Sequence, residues 1–196
     1  MVELETARLV LRRMSGGDAA FMLELLNDPA FVENVGDKGV RTEADAARYI
    51  AEGVVASYER FGFGMWLVAL KDGLRPIGIC GLLKRDELPD SDIGFAFLPG
   101  HRSLGYAHES AAAVMRHARD ALGLRRLLAV VVPGNAPSCR LLGKLGFHYL
   151  ETRRAMDSGT ELMLFESRGE SDADRDLIAV DAGQIVGFVQ QEQTED

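Results

Sequence analysis

The apolar positions change period along the chain, and the changes mark out its elements. Residues 6–13, T-A-R-L-V-L-R-R, alternate and predict a first strand. Ser15-Gly16-Gly17-Asp18 predicts the cap of a helix running to Leu26, which Asn27-Asp28-Pro29 stops. Residues 31–40 carry Asn34, Gly36, Asp37 and Gly39 and read as a loop suited to binding. Thr42-Glu43-Ala44-Asp45 opens a second helix through a near relative of the capping box. Ala46, Tyr49, Ile50, Val54 and Tyr58 follow at helical spacing as a core stripe, and Phe61-Gly62-Phe63-Gly64 ends it. Tyr49, Tyr58 and Phe61 are also candidates to line an acceptor pocket.

Strands are predicted over 65–70 and 77–83, joined by a loop with a glycine turn signal at Gly73. Residues 84–91 form a polar loop, and 92–98 alternate into another strand. An alanine-rich helix is predicted over 107–122, with Gly123 at its C-terminal end. Residues 127–132, L-L-A-V-V-V, are continuously apolar and rich in β-branched residues, which predicts a buried strand. A short helix over 136–145 and two strands, 147–153 and 161–167, complete the pattern around an Asp157-Ser158-Gly159 turn. From Arg168 the composition turns charged and acidic, with a hairpin pattern at 177–189. One domain over 1–167 and an acidic tail over 168–196 are therefore expected.

The apolar fraction of 47% and charged fraction of 27% are those of a soluble globular protein. No apolar run reaches the ~18 residues of a membrane span, so no membrane partner is expected. The first residues, with Glu3 and Glu5, carry no signal-peptide pattern. Cys80 and Cys139 lack metal or redox spacing, and a cytoplasmic, reducing setting follows as the expectation. The four histidines form no ligand cluster, so no metal is expected. A net charge of −8 argues against a nucleic-acid partner.

Two stretches carry chemistry. The first, Leu98–Ala107, reads L-P-G-H-R-S-L-G-Y-A between a strand and a helix. The first N–H groups of a helix lack internal partners and lie at the positive end of its dipole, which suits a phosphate. Gly105 lets an anion approach the backbone, and Arg102 adds a charged donor. The second stretch runs from Asn135 to Phe147 and reads N-x-x-S-x-x-L-x-x-x-G-F after the buried strand.

Arg102-Ser103-Leu104-Gly105-Tyr106-Ala107 resembles the pyrophosphate-binding signature Q/R-x-x-G-x-G/A of the GCN5-related N-acetyltransferases (GNAT). The Asn135–Phe147 stretch resembles a second signature block of the same superfamily. The start, L-x-T-x-R-L-x-L-R from Leu4 to Arg12, is similar to that of the ribosomal-protein N-terminal acetyltransferases. The likeness covers residues 3–167.

The resemblance implies a mixed, mostly antiparallel seven-stranded sheet, with helices on both faces and a splayed central strand pair. It implies acetyl-CoA as co-substrate, with Phe97, Leu98, Arg102, Ser103, Leu104, Gly105, Tyr106, Ala107, Asn135 and Ser138 as its binding residues. Leu142 stands where many relatives carry a tyrosine that protonates the CoA thiolate, and leucine cannot donate. The subgroup likeness gives that role to Ser138, with Asn135 holding a water or the pantetheine amide. An amine acceptor must lose a proton before it attacks. Asp92 stands where relatives often carry a glutamate and is the favoured base, with Glu109 as runner-up. The acceptor is a small amine or a protein N-terminus, and the chain acts as monomer or homodimer. The alternative is a catalytically silent CoA-binding or regulatory module.

Overall fold

The computed structural model describes residues 2–155 and 159–168. Among these residues eight strands form one sheet in the order β1-β2-β3-β4-β5-β6-β8-β7. They are β1 (Val2–Glu5), β2 (Leu9–Arg12), β3 (Met65–Leu70), β4 (Pro76–Leu83), β5 (Asp92–Phe97), β6 (Arg126–Val131), β7 (His148–Arg154) and β8 (Glu161–Arg168). Every neighbouring pair is antiparallel except β5 and β6.

The sheet has one strand more than the expected seven. The strand expected over 6–13 is present as β2, and an additional strand before it, β1, pairs with it as a hairpin. Its turn contains no glycine, proline or asparagine. Thr6 closes it instead, with its N–H donating to Leu9 O and its hydroxyl accepting from Leu9 N–H, both at 3.0 Å.

Among the described residues six α-helices accompany the sheet: α1 (Ala19–Leu26), α2 (Pro29–Val35), α3 (Glu43–Tyr49), α4 (Ala56–Phe61), α5 (Tyr106–Asp120) and α6 (Ala136–Lys144). The loop expected over 31–40 is half helix. Asp28 ends one helix and starts the next, its carboxylate accepting from Phe31 N–H at 3.1 Å, with Pro29 preset for the first turn. The second predicted helix is continuous from Glu43 to Phe61 but widens to a π-helical turn at Ile50–Val55.

The core lies on both sides of the central strands. Trp66, Leu67, Val68 and Ala69 on β3 are all at most 2% exposed, so both of its faces are covered. Trp66 meets the His117 ring of α5 edge-on at 5.5 Å, and α5 packs across β4 and β5. No helix among the described residues is long and apolar enough to cross a membrane. The acidic tail from 169 onward, its hairpin pattern at 177–189, and residues 156–158 of the last turn lie outside the described residues.

Candidate active site

The site begins with a break in the sheet. β5 and β6 are parallel and meet at a single register pair, Asp92↔Leu128, with Leu128 N–H donating to Ser91 O at 3.0 Å. Beyond that pair the two strands separate. Leu98 N–H donates to Ile77 O at 3.0 Å, so the backbone groups of every second residue of β5 point to β4. Phe95 and Phe97 therefore turn their backbone groups toward the opening. Phe97 O is taken by Arg102 Nε at 2.8 Å, and its N–H remains on the open side. Leu98, expected beside Phe97 as a backbone ligand, is committed to β4 through its N–H.

At the open end of β5 the chain makes the turn that leads into α5. Gly105 adopts φ 84°, ψ −2°, and Ser103 adopts φ 61°. Glycine accepts this left-handed geometry at no steric cost. Glu109 N–H closes the first helical bond, to Gly105 O at 3.0 Å. The N–H groups from Gly105 to His108 precede that closure and lack helical partners. Arg102, Ser103, Leu104 and Gly105 are all exposed.

Arg102 does not hang free over this turn. Its guanidinium pairs with the buried Asp28 carboxylate and holds Phe97 O, tying the turn to the start of α2. The cation nearest Gly105 is instead Arg8. Its Nη2 lies 3.2 Å from where a Gly105 Cβ would stand. The sequence stretch holding Arg8 was legible as a family-like start, but not as part of the site.

Glu109, the second candidate base, is engaged elsewhere. It accepts from Thr6 Oγ1 at 2.6 Å, from Arg8 N–H at 2.8 Å and from Arg8 Nε at 2.7 Å. Burial would raise its pKa, but these hydrogen bonds and the Arg8 charge outweigh burial and hold the carboxyl below its ordinary range. A carboxylate so held is a poor proton acceptor.

Asp92 is the opposite case. It is 2% exposed, and Arg85 Nε stands 3.1 Å from each of its oxygens. Burial pushes its pKa up to about 6, against the lowering effect of Arg85. Tyr49, at the end of α3, has its pKa raised by its own burial and lies close enough to Arg85 to feel its charge. Of the three aromatic candidates for a pocket, Tyr49 is the one coupled to this corner. Tyr58 is a buried brace, accepting from Met14 N–H at 3.2 Å and donating to Met65 O. Phe61 stacks on Phe63 at 6.0 Å.

The other wall of the opening is the N-terminus of α6. Asn135 caps it, its Oδ1 accepting from Ser138 N–H at 3.2 Å. The Ser138 hydroxyl is half-buried and has no hydrogen-bond partner among the described residues. Leu142 is fully buried in the core, so the tyrosine-like position offers no donor. Asp92 sits at the closed end of the strand pair, opposite Leu128. Val132, four residues on, is roughly 13 Å further along the strand direction. Asp92 and the Asn135–Ser138 cap thus lie toward opposite ends of the opening and form no triad.

The model of the Acetyltransferase (GNAT) domain family matches residues 8–148, from Arg8, which holds Glu109, to the first residue of β7. The chain belongs to this family. The uncharacterised N-acetyltransferase YoaA of Bacillus subtilis is 30% identical over 145 residues, covering 74% of this chain and 81% of that protein. A GNAT-family acetyltransferase structure from Bordetella pertussis aligns with TM-score 0.70 at 26% identity, over 85% of this chain and 98% of that one. RimL, a ribosomal L7/L12 alpha-N-protein acetyltransferase solved with coenzyme A, aligns with TM-score 0.75 at 14% identity, over 88% of this chain and 100% of that one. At that identity the likeness to RimL is one of fold. The splayed β5–β6 pair and the Gly105 turn both lie within the residues matched by the family model.

One further feature was not legible in the sequence. A cavity of about 420 Å³ lies between α5, the start of β6 and the end of α6, and His108, Arg116, Arg125 and Lys144 line it. These basic residues are scattered over 37 positions of an acidic chain, so no local run betrays the patch.

Proposed function

We propose that this chain transfers the acetyl group of acetyl-CoA to a primary amine by direct attack in a ternary complex. The observation that carries the reading is the opening between β5 and β6. It offers backbone groups of Phe95 and Phe97 along one edge and the N–H groups of the Gly105 turn at its end. An extended amide-bearing arm can add to that edge, and a diphosphate fits the turn. The residues fit the donor, and the basic cavity beside α5 suits its phosphorylated nucleotide end.

Bound acetyl-CoA supplies an activated acyl carbon and a thiolate leaving group. The protein's residues then move protons. Asp92, with a pKa of about 6, is ionised at neutral pH yet basic enough to take a proton from the ammonium acceptor through water along the opening that separates it from Ser138. Arg85 fixes the carboxylate by contacting both oxygens. The Ser138 hydroxyl donates to the departing thiolate, and Asn135 holds the helix turn that presents it. The ammonium gives one proton to Asp92 before the nitrogen–carbon bond forms; as the carbon–sulfur bond breaks, the nitrogen sheds its second proton to solvent, and Ser138 relays one from solvent to the thiolate, so one proton, the one on Asp92, is released overall.

The acceptor we favour is a peptide N-terminus, supported by the start block shared with ribosomal-protein acetyltransferases and by the fold shared with RimL. CoA release with Ala- and Ser-start peptides, set against a panel of small amines, tests this. Preference for peptides supports the reading, and preference for a small amine replaces the acceptor class. Binding of acetyl-CoA with no transfer to any amine would favour a silent CoA-binding module, for which the buried Leu142 is the supporting observation.

A further inference from the structure

The start of the chain reaches across the sheet to the anion turn. Thr6 Oγ1 and Arg8 N–H converge on Glu109 Oε1 at 2.6 and 2.8 Å, and Arg8 Nε takes Oε2 at 2.7 Å. Arg8 Nη1 donates to Leu104 O at 3.0 Å, and the guanidinium carbon lies 4.4 Å from the centre of the Tyr106 ring. Four residues of the turn and of the first turn of α5 are therefore gripped from one side: Leu104, Gly105, Tyr106 and Glu109. Nη2 makes no hydrogen bond among the described residues and lies 3.2 Å from where a Gly105 Cβ would stand.

This matters because the cation expected for the turn is committed elsewhere. Arg102 turns its guanidinium to Asp28 at the start of α2 and gives its Nε to Phe97 O, whereas Arg8, though paired with Glu109, keeps its Nη2 beside Gly105. Arg8 has two properties that suit the role. Its guanidinium is planar and stacked, so it is held in orientation before any ligand arrives. Its side chain is 47% exposed while its anchor Glu109 is 17% exposed, so the anchor is sheltered and the donor edge is open.

We propose that Arg8, held by Glu109 and stacked on Tyr106, supplies the positive charge of the diphosphate site, and that Thr6 and Glu109 are its positioning residues. The inference rests on the reading of the Gly105 turn as the acetyl-CoA diphosphate site. It makes the N-terminal hairpin a working part of the donor site and explains why a T-x-R-L start accompanies this turn: the threonine closes the hairpin and grips Glu109, and the arginine reaches the turn.

The test compares donors with and without a diphosphate in wild type, Arg8→Gln, Arg8→Lys and Thr6→Val. With acetyl-CoA, Arg8→Gln should lower kcat/KM about tenfold, chiefly through KM, as expected when a charge-assisted contact made in ground and transition states is lost. With S-acetylpantetheine, which lacks the diphosphate, the same variant should lose less than twofold. Arg8→Lys should recover part of the acetyl-CoA loss because the charge returns without the fork. Thr6→Val, which keeps the charge but loosens Glu109, should show the same donor-selective loss at smaller size. An equal loss with both donors would make Arg8 a brace of the fold and overturn the proposal. An unchanged KM for acetyl-CoA in Arg8→Gln would overturn it as well. Wild-type protein that binds no acetyl-CoA would instead overturn the site reading on which the proposal stands.

Discussion

Arg85 Nε stands 3.1 Å from both carboxylate oxygens of Asp92, which is 2% exposed. A buried aspartate is costly to ionise, and one cation at its mouth offsets only part of that cost. The balance leaves Asp92 near pH 6, where protonation state and basicity are both useful for accepting a proton at neutral pH.

The rate should carry that signature. Turnover limited by Asp92 should fall below about pH 6 as the carboxylate takes up a proton. Asp92→Asn should cost ~10²–10⁴-fold in kcat and abolish the acid limb. Arg85→Gln removes a charge that favours the carboxylate, so the limb should move to higher pH. A pH profile of kcat/KM for the three proteins checks this, and an acid limb that survives in Asp92→Asn would remove Asp92 as the base.

Stability should show the same burial with its own sign. The folded pKa of about 6 lies above the ordinary ~3.9 of an unfolded aspartate. The folded state therefore binds this proton more tightly, and the group's contribution to stability falls as pH rises from ~4 to ~6 and is flat above. The difference is about 3 kcal/mol by linkage. Relative to wild type, Asp92→Asn should gain thermal midpoint between pH 4 and pH 7. A difference between the two midpoints that does not change with pH would contradict the buried, ionised carboxylate.

The turn tolerates little at Gly105. Its φ of 84° would cost an L-residue about 1 kcal/mol or more, and a Cβ would stand 3.2 Å from Arg8 Nη2. Gly105→Ala should therefore weaken both stability and donor binding modestly. Gly105→Glu adds bulk and negative charge where an anion must sit and should abolish acetyl-CoA binding. Unchanged affinity in that variant would remove the turn from the donor site.

At α6 two neighbouring residues should separate cleanly. Asn135→Ala removes a helix cap and should destabilise the protein by about 1 kcal/mol. Ser138→Ala keeps the backbone N–H that Asn135 accepts from, so stability should hold while kcat falls more than donor affinity. Equal losses in kcat and affinity would make Ser138 a binding residue only.

The strand–turn–helix around Gly105 and the capped helix at Asn135 were legible because their determinants are local: an apolar run, a glycine, a cap. What stayed hidden was set by contacts between distant residues. Arg102 looked like a free phosphate ligand because its partner Asp28 is 74 positions away. Glu109 stood only as the runner-up base in a first helical turn, and the clamp that holds it comes from Thr6 and Arg8, about a hundred positions earlier. β1 was missed because Thr6 closes its hairpin with a side chain rather than with a turn-forming residue. α2 was missed because Asp28-Pro29 reads equally as the end of one helix and the start of another. The π-helical turn at Ile50–Val55 keeps the apolar stripe of an α-helix and leaves no mark in the pattern.

The most direct measurement is calorimetric titration of the purified protein with acetyl-CoA, with ATP and NAD as controls that carry phosphates but no pantetheine arm. The β5–β6 opening and the Gly105 turn together require micromolar binding of acetyl-CoA and none of the controls. Absence of acetyl-CoA binding, or equal binding of ATP, would contradict a donor site built from that opening.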